Sequence, residues 1–323
     1  MKAMILAAGY GERLWPLTSD RTKPALPVLG TPLVGYVAQY LARYGCEDVI
    51  VNLHHQPESV RRALGNGSQF GVRLQYVHEP VILGTSGALD NAREFLEGDT
   101  FVVVNGKLIT DLDLRAALQT HWKRKALATL VLLRNPKHER FSVVETNDGL
   151  VTRFAGMPAP AAAEPPLMFT GIHILEPRIF EYIPRGGFSD SVSDVYVPAM
   201  ASGERIAAHV TEGMWYELST LRRYLDISLA LLRDRGEDLY TGRNPSIDIA
   251  AEVHDSVLWD DVTVERGAHV RGAVLGDGVR IPAGERVEDA VVVRADLVSG
   301  VTPPAKALKG QVLGDNFVVS LSQ

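Results

Sequence analysis

Leu6-Ala7-Ala8-Gly9-Tyr10-Gly11-Glu12-Arg13-Leu14, followed by Pro16-Leu17-Thr18 and Lys23-Pro24, gathers small residues and cations in one short stretch. An apolar run ends in a small-residue loop, and Gly9 and Gly11 are free to take backbone angles closed to other residues. Such a loop turns successive N–H groups inward and forms a concave nest for an anion. Arg13 adds a rigid fork of donors suited to phosphate oxygens, and Lys23 adds a point charge. The combination is suited to a polyphosphate, with backbone donors giving shape and two cations giving charge. It is not a dinucleotide fingerprint, because Leu14 stands where a third glycine is required, and no Gly-Lys-Ser/Thr of a P-loop follows. Glu12 is expected to point away from the anion and to make a structural hydrogen bond.

A second small-residue cluster, Gly84-Thr85-Ser86-Gly87-Ala88, follows Glu79-Pro80 and precedes a helical stretch. Read locally, Thr85 or Ser86 caps that helix. His54-His55 follows an apolar run at the expected carboxyl edge of a sheet, where ligands bind in doubly wound folds. The reading as ordinary satisfied polar residues stands beside it. Cys46 is the one cysteine, so the chain has no internal disulfide, and it reads as a small buried apolar residue. Lys123, Arg124 and Lys125 read as a solvated helix end. No Gly-x-Ser-x-Gly elbow suggests a hydrolase nucleophile.

The elements that position these groups alternate in type. β-rich runs at 3–7, 48–53, 73–78, 101–104 and 128–133 are separated by helical stretches at 33–44, 58–64, 87–95 and 114–124. That alternation predicts an α/β fold with a doubly wound, mixed, mostly parallel sheet. Phe101-Val102-Val103-Val104 is continuously apolar, as a strand buried on both faces must be. Later β runs are expected at 142–145, 151–154, 168–175 and 206–210, with a Pro/Ala loop from Met157 to Pro166 and a helix over 221–233. The expected domains are 1–235, a polar linker at 236–248, and a tail at 249–323. In the tail Val264 and Val270, then Ile281, Val287 and Val293, recur at steps of six, as do Gly272, Gly278 and Gly284. A six-residue period with small residues at corners predicts a short left-handed parallel β-helix. Its open coil ends expose strand edges, from which a homodimer is expected.

The chain has 323 residues and a formal net charge of −6, without a dense basic stripe. That excludes general nucleic-acid binding. No leader pattern and no apolar run of about 20 residues is found, so a cytoplasmic protein is expected, away from membranes.

The run Gly9 to Arg13, Pro16-Leu17-Thr18, Lys23-Pro24 and Pro27-Val28 resembles the signature of sugar-1-phosphate nucleotidylyltransferases. The opening is most similar to the N-acetylmuramate-1-phosphate uridylyltransferases, and the tail to the mannose-1-phosphate guanylyltransferases. The resemblance implies transfer of a nucleotidyl group from a nucleoside triphosphate to a sugar 1-phosphate, with release of pyrophosphate. It implies that Arg13 holds the pyrophosphate and that Lys23 neutralises charge near the α-phosphate. Leu6, Ala7, Ala8, Gly9, Gly11 and Glu12 would wrap the nucleotide, together with Gly84, Thr85, Gly87 and Asn105. Thr170 and Gly171 would line the sugar pocket. The family also implies Mg²⁺, held by an Asp after Asn-Gly and by an Asp after Trp. In this chain Lys107 follows Asn105-Gly106, and Glu217 follows Trp215-Tyr216. A lysine ammonium has donors and no lone pair, whereas Glu is a competent oxygen ligand. Three readings stay open. Lys107 replaces part of the metal's charge, with Glu217 or Asp111 as carboxylate; or the chain binds nucleotide sugar without catalysis and regulates a partner; or the site carries an introduced substitution. Asp111 and Asp113 otherwise read as the cap and first turn of the next helix. A further departure is Gly156-Met157 before Pro158, where the family often has Glu-Lys for the sugar phosphate.

Overall fold

The structure is a computed structural model that describes residues 1–135, 139, 141–155 and 165–322. Gly156 and Met157, and with them the Pro/Ala loop up to Glu164, lie outside the described residues. Contacts divide the chain into two compact units. The first holds Met1–Ala8, Val34–Pro57 and Leu64–Trp215; the second holds Gly9–Leu33, Glu58–Ala63 and Tyr216–Gln323.

The first unit is built on nine strands: β1 (Lys2–Leu6), β2 (Asp48–Leu53), β3 (Arg73–His78), β4 (Phe101–Asn105), β5 (Ala128–Arg134), β6 (Val143–Asn147), β7 (Leu150–Ala155), β8 (Leu167–Leu175) and β9 (Ile206–Val210). Their spatial order is β3-β2-β1-β4-β8-β5-β9-β7-β6. β3, β2, β1 and β4 pair in parallel, as do β5 and β9. β8 enters antiparallel between β4 and β5, and β7 pairs antiparallel with β9 and β6, which makes the sheet mixed. The continuous apolar runs are the central strands, and Met4, Phe101, Val103, Leu130 and Leu132 share one buried cluster. The helices at Leu33–Arg43 and Leu114–Arg124 match the expected spans closely. Asp113 caps the latter, accepting from the N–H groups of Arg115 (2.9 Å) and Ala116 (3.2 Å). Its basic last turn runs out to exposed Lys123 and Lys125, a solvated end. Cys46 is fully buried, and burial pushes its thiol up to about 11.

The C-terminal part of the second unit is a parallel coil. Each rung pairs with the residue 17 positions on: Thr263 with Arg280, Val270 with Val287, Val257 with Val274. The inward residues are Val253, Leu258, Val264, Val270, Leu275, Ile281, Val287 and Val292. Two sides of each triangular coil therefore span six residues and the third spans five. The uniform step of six does not hold, and the inward rung after Val287 is Val292, not Val293. Val293 instead lies opposite Phe317 in the strand pairing. Strands Leu239–Thr241 and Ser246–Ile247 lie within the 236–248 stretch and pair with the coil one turn on. At the other end, strand Asn316–Ser320 pairs antiparallel with Arg286–Arg294, and Gln311–Leu313 pairs with it in turn. The chain thus covers the edge of its own last coil. Among the described residues no helix is long and apolar enough to cross a membrane.

Candidate functional site

In the first unit the groups gather at the carboxyl ends of β1, β2 and β4. Leu6 lies abreast of both Asn52 and Asn105 in the register. Asn52 is 2% exposed and accepts the Ala7 N–H through Oδ1 at 2.7 Å. Its Nδ2 donates to Glu79 Oε1 at 2.7 Å, and the other oxygen, Oε2, accepts the Leu83 N–H at 3.1 Å. His54 Nδ1 meets the Glu79 carbonyl at 2.7 Å, which is an ordinary satisfied polar role. This buried chain of bonds ties the exit of β1 to the start of the second glycine cluster. Pattern reading did not single out Asn52. The available signal was a polar amide inside an otherwise apolar strand, which must be bonded if buried.

The second cluster forms the first turn of the helix Gly84–Asn91, whose N-cap is Leu83 without a side-chain bond. The expected cap by Thr85 or Ser86 is not made, for a tertiary reason. The Ser189 carbonyl accepts the N–H groups of Ser86 (3.1 Å) and Gly87 (3.3 Å). The Thr85 hydroxyl instead accepts the Ser191 N–H at 2.7 Å. A Cβ on Gly84 would strike the Ser189 carbonyl, and one on Gly87 the Gly187 carbonyl.

Past β4 the chain turns through Gly106, whose N–H bonds Leu6 O at 2.9 Å. A Cβ there would sit 2.9 Å from that same oxygen. Lys107 follows at once and is half-buried. Asn105 faces the bulge of β8, where the register against β5 shifts between Phe169 and His173. Gly171 in that bulge has φ of +82°, and any Cβ would overlap the Asn105 side chain. Thr170 is 1% exposed, and its hydroxyl donates to Val131 O at 2.8 Å. Its hydroxyl hydrogen is therefore used within the sheet. Asp111 accepts the Met214 N–H at 2.7 Å and shapes that turn.

In the second unit the signature loop closes on itself. Gly11 is left-handed, with φ 71° and ψ 23°, and leads into the 3-10 turn Glu12–Leu14. A Cβ on Gly11 would lie 2.8 Å from the Lys23 Cβ, so this glycine is what lets the loop approach the lysine stem. Gly9, by contrast, does not use the left-handed region, and a Cβ there would meet nothing within 4 Å. Arg13 is exposed, and among the described residues its guanidinium has no ion-pair partner. Glu12 faces Lys306 at 3.8 Å, an ion pair too long to be the structural hydrogen bond expected of it. Lys23 heads the 3-10 turn Lys23–Ala25 and is half-buried. Glu217 is half-buried, and its backbone carbonyl accepts Arg223 Nε at 3.0 Å.

The residues expected to hold a divalent cation supply few free oxygens. Lys107 offers only N–H donors, and Asp111 already accepts a backbone N–H. Among the described residues no three His, Cys, Asp or Glu side chains come together as ligands.

Residues 2–234 match the Nucleotidyl transferase family, and residues 241–296 match the family described as GlmU-like, C-terminal hexapeptide. The chain is 30% identical over 283 residues to a UTP–glucose-1-phosphate uridylyltransferase of Synechocystis, covering 82% of this chain and 72% of that one. It is 34% identical over 226 residues to an N-acetylmuramate alpha-1-phosphate uridylyltransferase of Neisseria meningitidis, covering 69% and 95%. A mannose-1-phosphate guanylyltransferase of Mycobacterium tuberculosis is 28% identical over 295 residues, covering 82% of this chain and 81% of its own. Among solved structures, a Bacillus anthracis protein assigned as a glucose-1-phosphate thymidylyltransferase, in complex with sucrose, matches with a TM-score of 0.63. It is 26% identical and covers 72% of this chain and 96% of its own. The loop that brings Gly11 against Lys23, the mixed sheet and the 17-residue coil thus agree with the sequence matches: the chain belongs to the nucleotidyl transferase family, with a hexapeptide-repeat segment at its C-terminal end.

Proposed function

We propose that this chain joins a nucleoside triphosphate to a sugar 1-phosphate. An oxygen of the sugar phosphate attacks the α-phosphorus in line. The bond from that phosphorus to the bridging oxygen breaks, and pyrophosphate leaves. No covalent enzyme intermediate is needed, so positioning and charge carry the catalysis. Arg13 would take the leaving pyrophosphate, and Lys23 the charge around the α-phosphate. The backbone from Leu6 to Glu12 would wrap the nucleotide, with Asn105 at the sheet edge and Gly84, Thr85 and Gly87 toward the base. Thr170 and Gly171 would border the sugar, through backbone and shape. The observation that carries the reading is the pair of glycines in the signature loop. Gly11 is required by the close approach to Lys23, while among the described residues a Cβ on Gly9 would meet no atom within 4 Å. Open space at Gly9 is what a closely approaching polyphosphate needs. A homodimer remains our reading, now through the first coil edge at Leu239–Thr241, because the chain's own hairpin covers the last.

Lys107 supports a second reading, a nucleotide-sugar-binding regulator without turnover. We favour the first, in which the Lys107 ammonium provides charge that a carboxylate with a bound divalent cation would otherwise provide there. No step is assigned to a metal. The test is pyrophosphate release from four nucleoside triphosphates and a panel of sugar 1-phosphates, with Mg²⁺ or with a chelator, for the chain and for Lys107→Asp. Turnover by the unaltered chain, less sensitive to chelation than that of Lys107→Asp, is the expected result. Turnover only by Lys107→Asp, with the unaltered chain binding nucleotide sugar, establishes the regulator instead.

A further inference from the structure

Lys23 lies within a segment fastened on both sides to the β-helical coil of the same unit. Two residues before it, the Arg21 guanidinium grips Asp20 with two bonds of 2.8 Å. It also donates to Asp277 Oδ2 at 2.6 Å and lies over the Trp259 ring at 5.0 Å. Asp277 is in turn fixed, accepting the Asp260 N–H at 3.1 Å through its other oxygen. Four residues after Lys23, the Pro27 carbonyl accepts the Tyr224 hydroxyl. That hydroxyl accepts Trp259 Nε1 at 2.9 Å. One buried indole, 5% exposed, therefore serves both anchors, its face toward Arg21 and its N–H toward the Pro27 side. Between them, the Thr22 N–H bonds Ser59 Oγ at 3.1 Å.

We propose that Arg21 is a positioning residue: the Arg21–Asp277–Trp259 clamp sets the place of Lys23, and the coil acts as the template of the phosphate loop. This deepens the proposed function and rests on its assignment of Lys23. A planar guanidinium bonded at its edge and stacked at its face has few alternative orientations. The short turn between the anchors leaves Lys23 little freedom to drift. Loss of the clamp frees one side of the segment while the sheet of the other unit is untouched.

The test is binding of inorganic triphosphate, which carries the polyphosphate charge without a base, measured by calorimetry in a double-mutant cycle. The four proteins are the full chain, Arg21→Ala, Lys23→Ala and the double variant. Asp277→Asn is a fifth protein, which keeps its volume. Removing a charge-assisted contact to phosphate weakens binding about tenfold, so Lys23→Ala is expected to do so. Arg21→Ala and Asp277→Asn should follow in the same direction, with unchanged far-ultraviolet circular dichroism. In the Lys23→Ala background, Arg21→Ala should have no further effect, because it acts through the lysine. Multiplying effects would show that Arg21 meets the anion itself or acts on the fold at large, and would overturn the proposal. Full binding in Lys23→Ala would overturn the assignment of Lys23 and the clamp's role with it. Full binding in Arg21→Ala, beside weak binding in Lys23→Ala, overturns the clamp alone.

Discussion

Gly171→Ala tests whether the bulge of β8 holds Asn105 in place at the end of β4. Gly171 has φ of +82°, where an L-residue with a Cβ is strained. The left-handed region costs about 1–2 kcal/mol for such a residue. The new methyl would also overlap Asn105, whose Cγ would lie 2.8 Å and Cβ 3.2 Å from it, with Nδ2 nearer still. Relieving that overlap forces Asn105 from its rotamer or shifts the bulge, at roughly 1–3 kcal/mol. The total expected loss is about 3 kcal/mol. Urea unfolding followed by circular dichroism measures it, with the transition of the first unit resolved if the two units unfold separately. The two contributions separate in a second variant. Asn105→Ala removes Nδ2 and Cγ and keeps only the Cβ at 3.2 Å, so Gly171→Ala made in that background should cost little beyond the backbone part of about 1–2 kcal/mol. The cycle should therefore show a coupling of at least about 1 kcal/mol. If Gly171→Ala costs the same in both backgrounds, the overlap with Asn105 is not what demands a glycine. If it costs less than about 0.5 kcal/mol in either, the left-handed backbone itself is in question.

His173 is buried against Tyr196, and burial depresses its pKa to about 3. Its unfolded value is about 6.5, so the folded state refuses a proton that the unfolded chain accepts. The stability concerned is complete above pH ~6.5 and is lost as pH falls toward 3, at about 1.4 kcal/mol per unit. Between pH 7 and 5 the chain should therefore lose about 2 kcal/mol more than His173→Asn in urea unfolding, and equal slopes would reject the assignment. Asn52→Leu leaves the Ala7 N–H and the Glu79 carboxylate without their partner in a buried site, and should cost about 3 kcal/mol. It should also weaken triphosphate binding, read by calorimetry, because the exit of β1 loses its tie to the second glycine cluster. Unchanged stability would mean that water replaces the amide.

Much of this arrangement was legible locally. The signature loop combines two glycines and two cations in a span too short to be accidental, and continuous apolar runs marked β1, β2 and β4. Asp113, and not Asp111, caps its helix, while Asp111 turns to the Met214 N–H far along the chain. What escaped was tertiary. Ser189 lies about a hundred positions from the helix N-terminus that its carbonyl satisfies, so the glycines at 84 and 87 answered to a neighbour that no local pattern displays. Asn52 and Glu79 are 27 positions apart in the chain, and neither carries a spacing signal. The tail was readable as hexapeptides over two sides of each coil and misleading over the third, because the turn spans 17 residues and not eighteen. The hairpin at 311–320 broke the period altogether, since its pairing is antiparallel.

Lys107 is where pattern and chemistry part, and its place at the end of β4 is what the proposed charge role rests on. The register sets Asn105 abreast of Leu6, and the Gly106 N–H extends that ladder by one bond to Leu6 O. Residue 107 therefore emerges beside the last residues of β1. A carboxylate with a divalent cation bound to it adds one net positive charge to such a place. A lysine adds the same net charge with no ion to recruit. The two differ in geometry more than in sum. A divalent cation would be held through oxygen ligands, whereas an ammonium offers three donors on a flexible stem. A chain relying on Lys107 should thus bind triphosphate without an added divalent ion, and be slower to align the attacking oxygen. Lys107→Asp should reverse both: weaker binding under chelation, and faster transfer once Mg²⁺ is supplied. Equal sensitivity of the two proteins to chelation would mean that the ammonium does not act on the polyphosphate at all.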